Sequence, residues 1–196
     1  MRTRDEQKEL LVKEKAVEML VKHGFDGFSM QKLAKEAGIS PATLYIYYTD
    51  KEDLILRLGV ELGEKFHAAM MDGFSANMSL RDGLRKQWGN RARYMLTHPM
   101  EANAFDVIRH SPAGMEIMRA TTNLIKPVMA EFTHNAIKNN ELQQMELEVY
   151  WSITYGPLYT LLKFHIDGRS LAMRPFVFSE KVMYETLELV LKALKP

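Results

Sequence analysis

The residues with the clearest chemistry lie in the segment SMQKLAKEAGISPATLYIYYTDK, residues 29–51. If Leu44 and Tyr48 face a core, helical spacing turns five neighbouring side chains outward. Methyl and ring groups can contact thymine methyls and sugars, and tyrosine hydroxyls can bond phosphates. The five outward residues are Ala42, Thr43, Tyr45, Ile46 and Tyr47. The segment therefore offers noncovalent contact with a nucleic acid.

Two short helices joined by a tight turn would position these side chains. Ser29 is a good N-cap for the first helix, and Gly38 supplies the backbone freedom that a sharp turn needs. Ser40 followed by Pro41 starts a second helix, with a hydroxyl at the cap and proline at the first position. A helix, a turn containing glycine and a second helix form a helix-turn-helix, whose second helix can lie in the DNA major groove.

The same segment resembles the DNA-binding headpiece of the TetR (tetracycline-repressor-like) transcriptional regulators. The matching positions are Ala34, Ala37, Gly38, Ile39 and Ser40 in the turn, Thr43, Leu44 and Tyr45 in the recognition helix, and Lys51 at the start of the next helix. Met30, Ile46 and Tyr48 depart from the common pattern. The resemblance implies an all-α protein, with a DNA-binding domain over residues 1–51 and an effector-binding and dimerisation domain over residues 52–196.

The predicted DNA contacts also include the helix before the turn. Gln31 could read a base edge, and Lys32 or Ser29 could hold a phosphate. Lys51 lies at a helix N-terminus, where backbone N–H groups and the helix dipole favour an anion. By resemblance, Gln31, Thr43, Tyr45, Tyr47 and Lys51 occupy positions that commonly touch DNA. The complete predicted set is Ser29, Gln31, Lys32, Ala42, Thr43, Tyr45, Ile46, Tyr47 and Lys51.

Composition limits the class of protein but does not itself suggest DNA. The 196 residues are 46% hydrophobic, which is enough for a substantial core. The chain has no cysteine, no apolar run of about eighteen residues and a charged N-terminus, and these features predict a soluble, cytoplasmic protein without a membrane span. The net charge is only +1, and residues 1–51 contain nine Lys or Arg against eight Asp or Glu. The DNA prediction therefore rests on the motif, with affinity expected from a local basic face and from dimerisation.

Periodic apolar patterns predict about nine helices and no strands. After the headpiece we expect helices from Lys51 to about Phe74, from Leu80 to Leu96, and from Pro112 to about Asn139, with a kink or split near Ile125 caused by Pro127. The last two helices are expected over Leu142–Ile166 and Ser179–Leu194.

These last two helices contain more apolar residues than burial inside one subunit requires. The residues are Ile153, Leu158, Leu161, Leu162 and Phe164 in one helix and Val182, Leu187, Val190, Leu191 and Leu194 in the other. We predict that the helices pair with their copies as a four-helix bundle in a homodimer, which would place two recognition helices about one DNA turn apart. The alternative is that they only cover the core of the monomer.

Methionine and aromatic residues are abundant in the body of the chain, where the resemblance implies an inducer pocket. Such side chains suit an adaptable apolar site. We predict an uncharged or weakly charged hydrophobic effector, with Arg91, Arg109 or His110 as polar anchors. The predicted effector-binding residues are Trp88, Arg91, Tyr94, Phe105, Met118, Trp151 and Tyr155. Effector binding would shift the population of dimers so that DNA is released, as in a repressor.

Two other classes remain open as alternatives, an enzyme and a helical adaptor that binds only protein. Glu131 and His134 form one Glu-x-x-His, half of a ferritin-like di-iron signature, but the second copy is missing. The chain has no phosphate loop, nucleophile elbow or dinucleotide fingerprint. We therefore predict no catalytic residues, no metal and no cofactor, with double-stranded DNA, a second copy of the chain and a small molecule as partners.

Overall fold

The computed structural model describes the backbone of residues 2–196 and the side chains of residues 6–196. Over this range the chain forms nine α-helices and no β-sheet, with one isolated bridge between Arg169 and Pro175, which confirms the predicted all-α class. None of the helices in the described part combines the length and apolar character needed to cross a bilayer. The helices are α1 (Arg2–His23), α2 (Met30–Glu36), α3 (Pro41–Tyr47), α4 (Lys51–Met71), α5 (Leu80–Thr97), α6 (Pro99–Arg109), α7 (Gly114–Lys138), α8 (Leu147–Ile166) and α9 (Glu180–Leu194).

Two of the predicted helices begin at least two residues later in the structure than the sequence indicates. The N–H of Gly114 donates to the carbonyl of Ser111 at 2.9 Å, and this turn delays the start of α7. Pro127 lies inside α7 without splitting it. α8 begins at Leu147 instead of Leu142. The residues before it bond to other helices: the backbone N–H of Leu142 donates to the carbonyl of Ala136 at 3.2 Å, and that of Gln143 to the carbonyl of Leu194 at 3.0 Å.

The chain packs into two compact units, and two of the boundaries between them fall inside helices, one in α4 and one in α7. The headpiece unit comprises the residues up to His67 together with His98–Leu124, and the body unit comprises Ala68–Thr97 and Ile125–Pro196. This packing division differs from the predicted division at residue 51, which is a division by function and stays a prediction.

In the headpiece unit, α1 packs on α2 and α6, and α2 packs on α3. The helices approach closely where α4 carries glycine. A Cβ atom at Gly59 would lie 2.5 Å from Ile117 Cδ1, and one at Gly63 would lie 2.6 Å from Thr121 Cγ2. The resulting core is well packed; its largest fully buried side chains are Met19, Leu20, Leu33, Leu44, Leu54, Ile55 and Ile108.

The body unit has its own core, in which α5 packs on α8 and α9, and α8 packs on α9. Trp88 is fully buried here, and its indole N–H donates to the carbonyl of Thr154 at 2.9 Å. Phe132 packs edge-on against Phe74, with ring centroids 5.0 Å apart, and occupies the space that Gly83 leaves open. The two units therefore have separate hydrophobic cores.

Candidate nucleic-acid interface and candidate effector site

α3 is fixed to the headpiece by two buried side chains and one cap. Leu44 and Tyr48 are 0% and 2% exposed, as the helical spacing predicts. The Ser40 hydroxyl accepts a hydrogen bond from the Thr43 N–H at 3.1 Å, and Pro41 occupies the first turn. Burial and the carboxylate of Glu9 raise the pKa of Tyr48 to about 12. α3 is therefore held in one orientation although it has only two turns.

The turn that precedes α3 has the predicted construction. Gly38 adopts a φ of +65°, a left-handed conformation that glycine takes without steric cost. The N–H groups of Gly38 and Ile39 donate to the carbonyls of Lys35 and Ala34 at 3.2 and 3.0 Å. These bonds satisfy the last carbonyls of α2 and set the direction in which α3 leaves.

The opposite face of α3 points away from the core. Ile46 is 79% exposed and Tyr45 is 51% exposed, Ala42 is also exposed, and Thr43 and Tyr47 are half-buried. The Thr43 hydroxyl lies 2.8 Å from that of Ser40, so the cap also orients this side chain. The face thus presents methyl groups, rings and phenol hydroxyls, which are groups that can contact thymine methyls, sugars and phosphates.

The predicted contacts on α2 are accessible, although one cap bond is missing. Gln31 and Lys32 are exposed, and Ser29 is half-buried at the N-cap position. The Ser29 side chain makes no cap hydrogen bond, so the position of the predicted cap is right but its bond is absent.

Lys51 is engaged inside the headpiece unit. Its ammonium donates to the carbonyl of Phe25 at 2.7 Å and lies 3.8 Å from the centroid of the Phe25 ring. The N-terminus of α4 is also occupied by its own carboxylates: Asp50 Oδ1 accepts from the Asp53 N–H at 2.8 Å, and Asp53 Oδ2 accepts from the Thr49 N–H at 2.9 Å. This helix end is therefore less favourable to an added anion than its sequence suggested.

Arg57 is a cation beside α3 that the sequence reasoning missed. Its side chain is exposed, its Nε donates to Asp53 Oδ1 at 2.7 Å, and its Nη1 donates to the carbonyl of Tyr47 at 3.4 Å. The Thr49 N–H and the Arg57 guanidinium lower the pKa of Asp53, although burial opposes them. The four-residue spacing of Asp53 and Arg57 could have indicated the pair, but nothing local could show that it lies at the end of α3.

In the body unit, Arg91 lies among tyrosine rings. Its guanidinium carbon is 4.1 Å from the centroid of the Tyr155 ring, and its Nη1 donates to the Tyr159 hydroxyl at 2.6 Å. The Trp151 ring stacks on Tyr159 with centroids 5.8 Å apart and planes 17° apart. Tyr150 packs edge-on against Tyr155 at 6.4 Å. We call Arg91, Tyr150, Trp151, Tyr155 and Tyr159 the arginine–tyrosine cluster.

The protonation states in this cluster follow from its burial. Burial opposes the charge on Arg91, but interactions with Tyr159 and Tyr155 outweigh it and raise the pKa of the guanidinium. Burial also raises the pKa of Tyr155, and that of Tyr150 lies well above the ordinary value for the same reason. At neutral pH Arg91 is therefore a cation, and Tyr150 and Tyr155 are protonated phenols that can donate hydrogen bonds.

The predicted effector-binding residues fall in both units. Trp88, Arg91, Tyr94, Trp151 and Tyr155 belong to the body unit, whereas Phe105 and Met118 are half-buried in the headpiece unit. The two other anchors considered from sequence, Arg109 and His110, are exposed in the headpiece unit and bonded to Asp106. Arg91 is thus the anchor that lies among the predicted aromatic residues. Tyr159 was missed, although its four-residue spacing from Tyr155 puts both on one face of α8.

The predicted partner face on α8 and α9 needs correction. Six of its ten residues are buried inside the body unit and cannot be presented to a second copy; they are Leu158, Leu162, Leu187, Val190, Leu191 and Leu194. Helical periodicity marks the apolar face of a helix but does not tell an internal core from an interface. The exposed apolar residues of these helices are different ones, namely Leu147, Val149, Trp151, Ile166 and Leu189.

The di-iron alternative finds no support in the described part of the chain. Within it no three His, Asp or Glu side chains converge in a way that could hold a metal ion, and Glu131 and His134 are both exposed.

The comparisons with known proteins agree with this geometry. Residues 14–58 match the family model of the bacterial regulatory proteins of the tetR family. An uncharacterized HTH-type transcriptional regulator of Haemophilus influenzae is 26% identical over 136 residues, which are 69% of this chain and 71% of that protein. A fatty acid metabolism regulator protein of Bacillus subtilis is 29% identical over 69 residues, 35% of this chain and 36% of that protein.

A solved structure resembles the chain over its whole length. The crystal structure of a TetR family transcription regulator from Marinobacter aquaeolei has a TM-score of 0.79 and 27% identity, and the match covers 100% of this chain and 99% of that one. The similarity thus extends from the headpiece through the whole helical body. The chain therefore has the helix-turn-helix headpiece of the bacterial tetR family over residues 14–58 and is similar to a TetR family transcription regulator over its whole length, so it is a DNA-binding helix-turn-helix protein. The proteins that it resembles are transcriptional regulators and not enzymes.

Proposed function

We propose that this protein is a dimeric repressor that leaves its operator when a small molecule binds to its body. The observation that most strongly supports the DNA interface is the exposed face of α3, held outward by the buried Leu44 and Tyr48. Exposure of the apolar groups of Ile46 and Tyr45 to water is unfavourable, and contact with a base edge or a sugar would remove them from water.

The proposed contacts divide into those that read bases and those that hold the backbone. Ala42, Tyr45 and Ile46 would contact bases, with a preference for steps that present thymine methyl groups, and Gln31 would contact a base edge. The proposed backbone contacts are Ser29, Lys32, Thr43, Tyr47 and Lys51. One N–H of the Lys51 ammonium donates to the carbonyl of Phe25, so a phosphate would be bound by the other two.

A dimer would place two copies of α3 about 34–36 Å apart, one DNA turn, or a multiple of that distance. Regulators of this family are typically dimers. We propose that α8 and α9 pair with their copies through exposed residues such as Val149 and Leu189. The operator is then expected to be a two-fold symmetric sequence. The proposed location of the protein is the cytoplasm, where it would meet this DNA.

The effector is proposed to bind among the aromatic residues of the body, in the functional domain predicted over residues 52–196. Trp88, Arg91, Tyr94, Trp151 and Tyr155 are the members of the predicted set that share the body unit. Phe105 and Met118 stay in the proposal as residues of the headpiece unit. The effector would bind more tightly to a dimer whose two recognition helices are wrongly spaced for the operator. The operator affinity would then fall by a factor set by the difference in effector affinity between the two states of the dimer.

Selection from a random pool of double-stranded DNA tests the interface, because the selection itself identifies the sequence that the protein binds. Wild-type protein is expected to enrich a two-fold symmetric sequence. Tyr45→Ala and Ile46→Ala should each weaken binding to it about tenfold, about 1.4 kcal/mol. Met115→Ala, which truncates another exposed apolar side chain far from α3 in the sequence, is the control and should bind like wild type. Failure to enrich any sequence, or equal binding by all three variants, would refute the interface.

Transcription in vitro then tests the direction of regulation. A promoter that contains the selected sequence should give less transcript when the protein is added. An increase would identify an activator instead of a repressor.

A further inference from the structure

Three buried hydroxyl groups in the body unit make no hydrogen bond of regular geometry, although they lie close enough to interact with one another and with Arg91. They belong to Tyr150, Thr154 and Tyr155, which lie on little more than one turn of α8 and are at most 6% exposed. Buried polar atoms in folded proteins are nearly always bonded to protein, water or ligand, so each such group calls for an explanation. The core packing of the body uses the rings of Tyr150 and Tyr155.

A permanent positive charge lies beside these hydroxyls. The guanidinium of Arg91 is buried, lies over the ring of Tyr155 at 4.1 Å, and bonds to the hydroxyl of Tyr159. Arg91 is charged, and Tyr150 and Tyr155 are protonated at neutral pH, so these three groups can donate hydrogen bonds. Donors that converge around a buried cation are complementary to an anionic acceptor.

We propose that the arginine–tyrosine cluster binds the carboxylate group of the effector, with Arg91 as the counter-charge and the hydroxyls of Tyr150 and Tyr155 as donors. This inference depends on the proposed function, since it assigns a chemical class to the effector. It replaces the uncharged or weakly charged molecule expected from the sequence with an organic acid.

The geometry favours a carboxylate over other acceptors. A carboxylate carries one negative charge and two acceptor oxygens, which suits one guanidinium and two phenols. A neutral ligand could accept from the hydroxyls but would gain no charge attraction from the buried guanidinium. The rest of the effector would be apolar, because Trp88 and Leu158, on the same two helices, are fully buried.

Trp151 is the exposed member of the cluster. Its ring is 45% exposed, stacks on Tyr159, and lies 6.1 Å from the ring of Tyr155. A ligand that reached Arg91 would change the surroundings of this ring. Trp88, the other tryptophan of the chain, is bonded to the carbonyl of Thr154. Both tryptophans therefore report on the proposed site.

Tryptophan fluorescence of the full-length protein without DNA tests the proposal. The probes are octanoate and benzoate, each compared with its neutral amide, octanamide and benzamide, and with inorganic phosphate. At least one carboxylate is expected to give a saturable change and to bind at least tenfold more tightly than its amide, with no change from phosphate. Equal binding of both acids and their amides would overturn the proposal, and so would the absence of any response.

Matched variants locate the binding. Arg91→Gln and Tyr150→Phe should each weaken carboxylate binding at least tenfold. Arg85 provides the control because its guanidinium lies 3.9 Å from the Tyr184 ring elsewhere in the same unit. Arg85→Gln and Tyr184→Phe should bind the carboxylate like wild type. Tyr150→Phe keeps the ring and the charge of Arg91, so it tests the site even if Arg91→Gln does not fold. Wild-type affinity in Tyr150→Phe would overturn the assignment.

Operator binding separates this proposal from the one on which it rests. A carboxylate that binds at Arg91 but leaves DNA affinity unchanged supports the anchor and refutes its role as effector. A different molecule that releases DNA while Tyr150→Phe and Arg91→Gln respond like wild type supports regulation and refutes the anchor.

Discussion

The headpiece and the body place charge in opposite ways. The recognition helix α3 has the sequence PATLYIY and carries no acidic or basic residue, although it faces solvent where a polyanion would bind. The body instead holds a charged arginine in its interior, among the rings of α8. In most proteins charge is at the surface and apolar groups are inside, so each region departs from the rule where we propose a ligand.

The comparison separates two ways of recognising a ligand. On α3 an uncharged surface would distinguish sequences by shape and by methyl contacts, while cations beside it, such as Lys32 and Arg57, supply attraction to the backbone. In the body a desolvated cation can select a charged group strongly, because the surrounding dielectric is low. If the two regions are as independent as this contrast implies, substitutions in one should leave the other unchanged.

The largest expected effect comes from removing one leucine from each core. Leu44 and Leu158 are both fully buried, the first in the headpiece and the second in the body. Leu44→Ala and Leu158→Ala should each lower the free energy of unfolding by about 2–5 kcal/mol. Hydrogen exchange measured by segment should rise mainly in the unit that carries the substitution.

Only Leu44→Ala should also abolish operator binding, because Leu44 holds α3 in place. If either variant raised exchange evenly over the whole chain, the two cores would unfold as one and the comparison would fail.

The features predicted correctly from the sequence are those fixed by neighbouring residues. The turn before α3 depends on Gly38 and Ser40, whose conformational preferences act within a few residues. The partner face was mostly wrong because residues such as Leu162 and Leu191 are apolar at helical spacing whether they meet their own protomer or another. The sequence also could not show that the predicted effector-binding residues belong to two units. No local pattern indicates that Phe105 and Trp88 lie in different units.

Contacts distant in sequence explain the other misses. The Gln143 N–H, before the start of α8, donates to the carbonyl of Leu194 at the end of α9, far along the chain. Local propensity alone cannot anticipate such a contact, and the start of α8 predicted at Leu142 was too early.

A smaller effect is expected at the helix caps. The hydroxyls of Ser40 and Ser179 each accept a backbone N–H, from Thr43 at 3.1 Å and from Val182 at 3.3 Å, whereas Ser29 makes no such bond. Ser40→Ala and Ser179→Ala should each lower the free energy of unfolding by about 1 kcal/mol in urea titrations. Ser29→Ala is the internal control and should cost less.

Function should distinguish the two caps. α3 has seven residues and depends on its cap more than α9 with fifteen, so Ser40→Ala should weaken operator binding and Ser179→Ala should not. A cost for Ser29→Ala as large as that for Ser40→Ala would show that the cap bond is not the cause.

The smallest effect is expected from the buried phenols, whose removal should change stability only at alkaline pH. Burial raises the pKa of Tyr48 in the headpiece to about 12, and those of Tyr150 and Tyr155 in the body are raised as well. An unfolded tyrosine titrates near pH 10, roughly, so the folded state keeps its protons longer. The stability that these phenols contribute is fully present below that pH and is lost as the pH rises towards the folded pKa.

Tyr48→Phe and Tyr150→Phe should therefore match wild type closely at neutral pH and lose less stability in alkali, the first in the headpiece and the second in the body. Urea titrations followed by segment at both pH values would measure this, and identical alkaline losses in wild type and both variants would mean that these phenols ionise without cost to the fold.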